Sequence, residues 1–311
     1  VQTECFHEPR IRLNLTAVPR SEAEAFRPSR HPRTPCVITG LARAWPAIRH
    51  WNPRYLKEAA ADAAVDVREA RGAPRNIYQN MAAGGSISLA DYIDWVTETA
   101  GAEDLRTIAD TSRSASEVMQ RIDRAGFETS YYLDVDLARL PPQFLSDVAS
   151  PPWYGRAPLR TLLWIGVLGT SCGLHADVTP NCNVQVIGRK SFVLFAPDQT
   201  RLLYRRPRST HCSFDPNEPD DRRYPRAERA TGMSCTLEAG EALYIPVGWY
   251  HQVTVLSPWA VNVNFFWPRP FPQGLLTPPL WFILLRRAWA RCRVGAKAHL
   301  IRSGWWPSAV Q

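Results

Sequence analysis

Lysine is almost missing from this chain. Lysine and arginine together number 37, yet only Lys57, Lys190 and Lys297 are lysines. GC-rich coding produces such a skew, so it says little about fold, but it gives each remaining lysine a claim to a reason. Long hydrophobic runs are missing too. The longest candidate, Leu280-Trp-Phe-Ile-Leu-Leu285, stops at Arg286-Arg287, well short of the roughly eighteen apolar residues of a membrane span. The opening residues Val1-Gln-Thr-Glu-Cys5 lack the charged-then-apolar pattern of a secretory leader. The 7 cysteines form no C-x-x-C pair, and this odd, scattered set reads as free thiols in a reducing cytoplasm. No internal repeat and no low-complexity tract is present. These absences argue against a membrane-spanning helix, a disulfide scaffold and a repeat array, and the expected location is cytoplasmic.

What is there suits an enzyme. The chain has 311 residues, 45% of them hydrophobic, and 12 tryptophans. That is enough to bury a large core, and it argues against disorder. The net charge of +8 favours an acidic partner, whether nucleic acid, anionic lipid or acidic peptide, and equally describes a soluble protein with surplus arginine.

Local patterns divide the chain into textures. Residues 1 to about 35 read as an arm with a short helix around Ser21–Phe26. Cys36-Val-Ile-Thr-Gly40 is a β-type run stopped by glycine. Asn52-Pro53 offers an N-cap with proline at the first helical position, for a helix through about Ala63. Val65-Asp-Val-Arg68 alternates like a strand. Ser88-Leu-Ala-Asp91 is a capping box, and Leu89, Tyr92, Ile93 and Val96 form the apolar stripe of the helix behind it. Residues 101–127 are polar and read as a loop with a short helix near Val118–Ile122. From Thr161 the texture turns to β. Leu162–Val167 is a strand, and Asn183–Ile187 and Ser191–Phe195 flank Gly188-Arg189-Lys190 as a hairpin. Residues 205–234 are a long surface excursion. Ala242–Pro246, Gln252–Leu256 and Ala260–Phe266 are further strands, the last two joined by a Ser257-Pro258 turn. Short strands at this spacing predict a barrel or sandwich. After Pro268 a helix with apolar and arginine faces is predicted from Pro279 to about Val294.

The chemistry-bearing motif is His175-Ala176-Asp177 with a later His251. Residues i and i+2 of a strand share a face, so His175 and Asp177 can reach one metal ion together. His251 follows Glu241-Ala-Leu-Tyr-Ile-Pro-Val-Gly-Trp-Tyr250, a strand entering a tight turn. Two histidines and one carboxylate are the ligand set of non-haem Fe(II) oxygenases. A polar cluster without metal is the bland alternative.

Longer stretches around these residues carry a resemblance. The run His175-x-Asp177-x3-Asn181-x3-Gln185-x2-Gly188-x-Lys190-x3-Leu194-x2-Pro197 is similar, position by position, to that of the JmjC-type, cupin-like Fe(II)/2-oxoglutarate oxygenases. The nearest likeness is to the subgroup around the asparaginyl hydroxylase that inhibits the hypoxia-inducible factor. Gly240–His251 and Val261-Asn-Val-Asn-Phe-Phe-Trp267 follow the same pattern. So do the insert from Ser213-Phe-Asp-Pro216 to Tyr224-Pro225 and the opening Pro35-Cys-Val-Ile-Thr-Gly40 with Trp45-Pro46. The likeness covers roughly residues 20–268.

The resemblance implies a mainly β fold, a double-stranded β-helix (jelly-roll) barrel with flanking N-terminal helices. It implies an oxygenase domain over residues 1–270 and a C-terminal helical segment, 271–311, through which the chain forms a homodimer. It implies His175, Asp177 and His251 as Fe(II) ligands, with O2 and 2-oxoglutarate completing the metal's shell. Lys190 would pair with the distal carboxylate of 2-oxoglutarate, and Tyr132 would donate to the same carboxylate. Asn181 and Asn264 would line the site. One departure stands out. Cys172 occupies a position where the family often has threonine, and a thiol is a weaker donor, so cosubstrate affinity falls unless another group fills in. Asn183 replaces a residue that is commonly aromatic, which alters the substrate side. The implied reaction is hydroxylation of an amino-acid side chain in a protein or peptide, such as a ribosomally made precursor with an acidic leader. The alternatives are hydroxylation of a modified RNA base and a metal-free binding protein.

Overall fold

The computed structural model describes residues 13–28, 33–60, 62–71, 81–127, 129–151, 153–155 and 157–268. Its centre is a pair of facing sheets. The strands that build them are β1 (Asn14–Ala17), β2 (Arg20–Glu22), β3 (Cys36–Thr39), β4 (Ala64–Arg71), β5 (Met81–Ser88), β6 (Thr129–Asp136), β7 (Arg160–Val167), β8 (Ser171–Ala176), β9 (Asn181–Ile187), β10 (Lys190–Phe195), β11 (Thr231–Leu237), β12 (Ala242–Ile245), β13 (Tyr250–Val255) and β14 (Trp259–Phe266). The smaller sheet has the order β1-β11-β10-β13-β8, and the larger runs β2-β3-β12-β9-β14-β7-β6-β4-β5. From β7 onward the chain crosses repeatedly between the sheets, and within each sheet these strands pair antiparallel. That is the jelly-roll arrangement of a double-stranded β-helix. The two sheets stay separately hydrogen-bonded and do not close into one continuous sheet.

The predicted hairpin around Gly188-Arg189-Lys190 is a sheet-to-sheet crossing instead. β9 pairs with β12 and β14, whereas β10 pairs with β11 and β13. Sequence spacing cannot tell a hairpin turn from a jelly-roll corner. The corner is held by its neighbour, the Ser257-Pro258 turn. Arg189 N–H donates to Ser257 Oγ (2.9 Å) and Leu256 N–H to Arg189 O (2.9 Å). Gly188 is obligatory there: its φ is +72°, and a Cβ would lie 2.2 Å from Ser257 Oγ.

Alternation in β9 and β14 explains both layers of the core. Cys182, Val184 and Val186 of β9, with Val261, Val263 and Phe265 of β14, pack outward. They meet α1 (Pro46–His50), α2 (Pro53–Ala60) and α3 (Leu89–Gly101), which contribute Ala47, Leu56, Ala60, Leu89, Tyr92, Ile93 and Val96 to one cluster. The intervening Asn181, Asn183, Gln185, Asn262 and Asn264 are buried as well. On these two strands the polar residues face the space between the sheets, where Asn181, Asn183, Asn262 and Asn264 line a cavity, while elsewhere apolar residues of both sheets, such as Phe192, Leu194, Leu243 and Ile245, fill that space. The α3 cap forms as read, with Asp91 N–H donating to Ser88 Oγ at 3.0 Å. Tyr55 N–H donates to Asn52 Oδ1 (3.0 Å), and α2 ends at Ala60, before the predicted Ala63.

Three further expectations change. Ser21–Phe26 is not a helix: Arg20–Glu22 pairs parallel to β3, and a single turn follows, closed by Phe26 N–H to Glu22 O (3.0 Å). Residues 101–127 hold two helices, α4 (Glu103–Thr111) and α5 (Ala115–Arg124). Their apolar faces, Leu105, Ile108, Val118 and Ile122, form a small cluster with Leu168. The missed signal is a second capping box, Ser114-Ala-Ser-Glu117, in which Glu117 N–H donates to Ser114 Oγ (3.1 Å). The surface excursion ends sooner than predicted, because Thr231–Leu237 is β11. Gly232 and the polar residues disguised that strand. The glycine is required by a close approach, since its Cβ would sit 2.6 Å from Leu194 O.

A further short helix, α6 (Pro142–Ser146), packs Phe144 beside Trp51 at 5.8 Å between ring centroids. No helix among the described residues is long and apolar enough to cross a membrane. The predicted helix from Pro279, and the dimer through it, lie outside the described residues.

Candidate metal centre

β8 and β13 are neighbours in the smaller sheet, and their register sets His175 opposite His251. Asp177 follows the end of β8, and Gly248 N–H donates to its backbone carbonyl at 3.0 Å. One ligand atom from each of His175, Asp177 and His251 lies within 4.8 Å of the others. His251 Nε2 is 3.7 Å from Asp177 Oδ2, and the two imidazole centroids are 4.4 Å apart.

A break in register makes this geometry possible. His251 pairs with His175 but Val253 pairs with Cys172, so β8 carries an extra residue between them. In a regular strand, positions 172 and 175 would face opposite sides. The bulge brings both into the barrel, so one strand serves the cavity floor and the metal face.

Supporting bonds fix the orientation of each ligand. His175 Nδ1 bonds Gly173 O (2.7 Å) and His251 Nδ1 bonds Trp249 O (3.1 Å). Those bonds put the hydrogen on Nδ1 and the lone pair on Nε2, the tautomer that binds metal. Burial, and then the neighbouring His251, lower the His175 pKa to about 4, so its ring is neutral at pH 7. Asn181 Nδ2 donates to Asp177 Oδ2 at 2.5 Å and aims the carboxylate.

The face opens into a cavity of about 670 Å³, counted to its mouth. The structure brings every sequence-predicted residue to it: Tyr132, Cys172, Asn181, Lys190 and Asn264 line the same space as the three metal candidates. Lys190 is 6% exposed. Its ammonium donates to Asn262 Oδ1, and Asn262 Nδ2 donates onward to Asn264 Oδ1 (2.7 Å). No carboxylate among the described residues pairs with it, and burial pulls its pKa down to about 7. A buried cation without a counter-charge calls for an anionic ligand.

Other polar atoms in the cavity are also waiting. Tyr132 OH, Trp164 Nε1, Thr170 Oγ1 and Asn183 Oδ1 are buried with no hydrogen-bond partner among the described residues, and all four residues line the cavity. Tyr132 stacks on Trp164 at 5.7 Å, and burial raises its pKa further above the usual phenol value. Cys172 lines the same cavity, but its thiol is already engaged. Its Sγ donates to Val253 O (3.8 Å), and burial pushes its pKa up to about 12. Thr170, Trp164 and Asn262 were missed from the sequence. The signal for Thr170 was available: it stands two residues before Cys172, on the same side of the chain. Nothing in the sequence marked Trp164 or Asn262.

The residues present fit Fe(II) and a dicarboxylate keto acid. The donors make one face of two imidazoles and a carboxylate, and the same cavity is lined by Tyr132, Trp164 and Thr170, whose donors have no partner among the described residues, and by Lys190, which pairs with no described carboxylate.

A two-sheet β-helix of this kind, with a candidate metal-binding donor set, is the architecture of the cupin-like family. The chain belongs to that family: the sequence profile described as "Cupin-like domain" matches residues 22–273. Its relatives place it among the JmjC-type proteins. It is 27% identical over 267 residues to "Lysine-specific demethylase JMJ31" of Arabidopsis thaliana, covering 78% of this chain and 47% of that protein. It is 26% identical over 273 residues to the human "Bifunctional peptidase and (3S)-lysyl hydroxylase JMJD7" (77% and 79%). It is 27% identical over 246 residues to "tRNA wybutosine-synthesizing protein 5" of Gallus gallus (76% and 70%). The chain spans about half the length of the first of these relatives. This spread establishes the JmjC type as a whole and does not single out the asparaginyl hydroxylase branch.

Proposed function

We propose that this chain is an Fe(II)- and 2-oxoglutarate-dependent oxygenase that hydroxylates an amino-acid side chain in a protein or peptide. The observation that carries it is Lys190, a buried ammonium without a carboxylate, in the same cavity as the His175–Asp177–His251 face. Fe(II) bound there supplies the oxygen chemistry, coupling decarboxylation of the keto acid by O2 to hydroxylation of a substrate C–H.

The chain's own residues bind and orient. Lys190 takes the distal carboxylate as a compact charge at the end of a narrow space. Tyr132 and Thr170 supply hydroxyl donors to the same group, with Thr170 filling in for the hydroxyl that Cys172 lacks. Asn262 and Asn264 fix the ammonium. Asn181 holds Asp177 through Oδ2 and would orient the carboxylate as a metal ligand. Trp164, Ile245 and Phe266 in the wall exclude water from the reacting atoms.

Protein or peptide substrates are favoured by the relatives named as a lysyl hydroxylase and a lysine demethylase. The decisive experiment measures succinate from 2-oxoglutarate with purified protein, Fe(II) and air. Succinate should form slowly without substrate, and it should vanish in the His175→Ala variant. No succinate above the variant's level, together with no bound metal, would leave a metal-free binding protein. An RNA substrate is the second reading, favoured by the relative named for tRNA wybutosine synthesis. It predicts substrate affinity that falls steeply with salt.

A further inference from the structure

Between β10 and β11 the chain leaves the barrel and covers the outer face of the smaller sheet. Phe214, Tyr224, Ala227 and Ala230 pack there against Leu174, Val193 and Tyr250. The first part of this insert is a small hairpin. Arg205 bridges Cys212, Arg206 N–H donates to His211 O (2.9 Å) and Ser213 N–H to Tyr204 O (3.0 Å). The hairpin is bonded along the edge of the metal strand: Cys212 N–H donates to Leu174 O (2.8 Å) and Ala176 N–H to Thr210 O (3.0 Å). The His211 ring stacks on that of His175, 5.4 Å away at 17°.

The insert holds a cleft of about 620 Å³, open space included, lined by Arg205, Arg206, Arg223, Arg226, Tyr204 and Tyr224 together with Pro207 and Ser213. The arginines are organised. The Arg226 guanidinium lies 4.3 Å from the Tyr204 ring centroid and that of Arg223 5.3 Å from the Tyr224 centroid. The two tyrosines meet edge to face at 5.0 Å, and Tyr204 OH is fixed by Arg226 N–H (3.0 Å). Arg205 donates one N–H to Ser209 O (2.9 Å) and Arg206 one to Ser213 Oγ (3.3 Å), leaving most of each five-donor fork unspent. No acidic side chain among the described residues forms an ion pair with any of the four. Tyr204 and Arg208, at φ 53° and 55°, are the only described non-glycine residues with positive φ, and both belong to this hairpin. Held-back strain of this kind gathers at binding sites.

We infer that this arginine–tyrosine cleft is a docking site for an acidic peptide segment, whose carboxylates the stacked guanidinium forks grip edge-on. A nucleic-acid backbone fits less well. It needs a continuous basic track, whereas Asp220 and Asp221 precede the Arg222-Arg223 pair and Glu228 follows Arg226. An acidic segment held here lies one hairpin from the His175 ring, so it would anchor a substrate whose reacting residue enters the barrel. That last step rests on the oxygenase reading; the binding itself does not.

The test is fluorescence anisotropy of a fluorescein-labelled hexaglutamate peptide with the full chain, without iron or 2-oxoglutarate. The peptide should bind. Arg223→Ala and Arg226→Ala should each weaken it by roughly tenfold or more, the worth of a charged hydrogen bond. Arg54→Ala, on the exposed face of α2, removes the same charge and should change nothing, and matched melting curves show that the variants are folded. The inference fails if Arg54→Ala weakens binding as much as the cleft variants, or if no peptide binds. It fails also if hexauridylate binds more tightly than the peptide, or if inorganic phosphate displaces the peptide at equal concentration. Succinate formation measured in parallel separates the two readings, since either can fail alone.

Discussion

Replacing Lys190 by methionine should push stability and cosubstrate affinity in opposite directions. In the ligand-free protein the ammonium is buried with Asn262 Oδ1 as its hydrogen-bond partner among the described residues, and its pKa is drawn from 10.5 to about 7. The gap corresponds to about 5 kcal/mol of cost for keeping the charge inside. Methionine keeps the chain's length and removes that cost. It also orphans Asn262 Oδ1, at about 1–3 kcal/mol, so a net gain of about 2–4 kcal/mol should remain near pH 7. The sign reverses for ligand. A carboxylate meeting Lys190 gains a buried partner, and losing that partner typically costs about 3–5 kcal/mol, or two to three orders of magnitude in affinity. Denaturant melts of the metal-free protein should therefore shift to higher midpoint in Lys190→Met. Titration of the Mn(II)-loaded protein with 2-oxoglutarate should show the collapse in affinity. The advantage of the variant also depends on pH. Between about pH 7 and 10.5 the unfolded wild type holds a proton that the folded form lacks, so wild-type stability rises with pH there and the variant's lead shrinks. A variant that is less stable than wild type and binds 2-oxoglutarate unchanged would refute the argument, because Lys190 would then be a structural cation.

Three further outcomes are expected. Asp177→Ala should abolish Co(II) binding, followed by visible absorption, while circular dichroism stays native, because the carboxylate serves the site and not the core. His175 and His211 both have pKa values lowered to about 4, chiefly by burial. The unfolded chain therefore takes up protons first as pH falls below about 6.5, and the metal-free protein should lose about 2 kcal/mol per histidine by pH 5, less if the stacked pair acts as one; a flat profile between pH 7 and 5 in the presence of chelator would contradict the burial. Thr170→Val should weaken 2-oxoglutarate binding by roughly tenfold, the loss of a hydrogen bond to a charged group, while Cys172→Thr leaves it equal or better; if only Cys172→Thr has an effect, the hydroxyl role belongs to position 172.

The fold was legible where local chemistry and tertiary role agree. Ser88 caps α3 because the capping box needs only nearby atoms, and the apolar stripe behind it lands on the sheet as its spacing requires. The misreadings share a cause, which is that pairing partners are remote. Gly188-Arg189-Lys190 has hairpin chemistry, but β9 and β10 each find better partners elsewhere, across spans that periodicity does not report. β11 failed on propensity, since Gly232 reads as a breaker and only the approach of Leu194 O explains it. α4 and α5 were diluted by charge, because helices that bury one narrow face carry many exposed polar residues.

The candidate site divides along the same line. His175, Asp177 and His251 could be named because i, i+2 spacing fixes a shared face and the ligand chemistry admits few residue types. Lys190 stood out against a chain that avoids lysine. The bulge that turns Cys172 and His175 to the same side is invisible in sequence, since it depends on how β13 pairs across β8. On the proposed reading, the residues next to the bulge offer a substitute for the hydroxyl that position 172 lacks. Thr170 and Cys172 both line the cavity, the thiol's hydrogen is spent on Val253 O, and the threonine hydroxyl is left without a partner among the described residues in the cavity that Lys190 also lines. A loss at one position and an unpartnered hydroxyl two residues away are then a single arrangement. The polar interior follows the same logic. Asparagines alternating with valines on β9 and β14 look like a half-exposed sheet, whereas both faces are buried and the asparagines line the cavity.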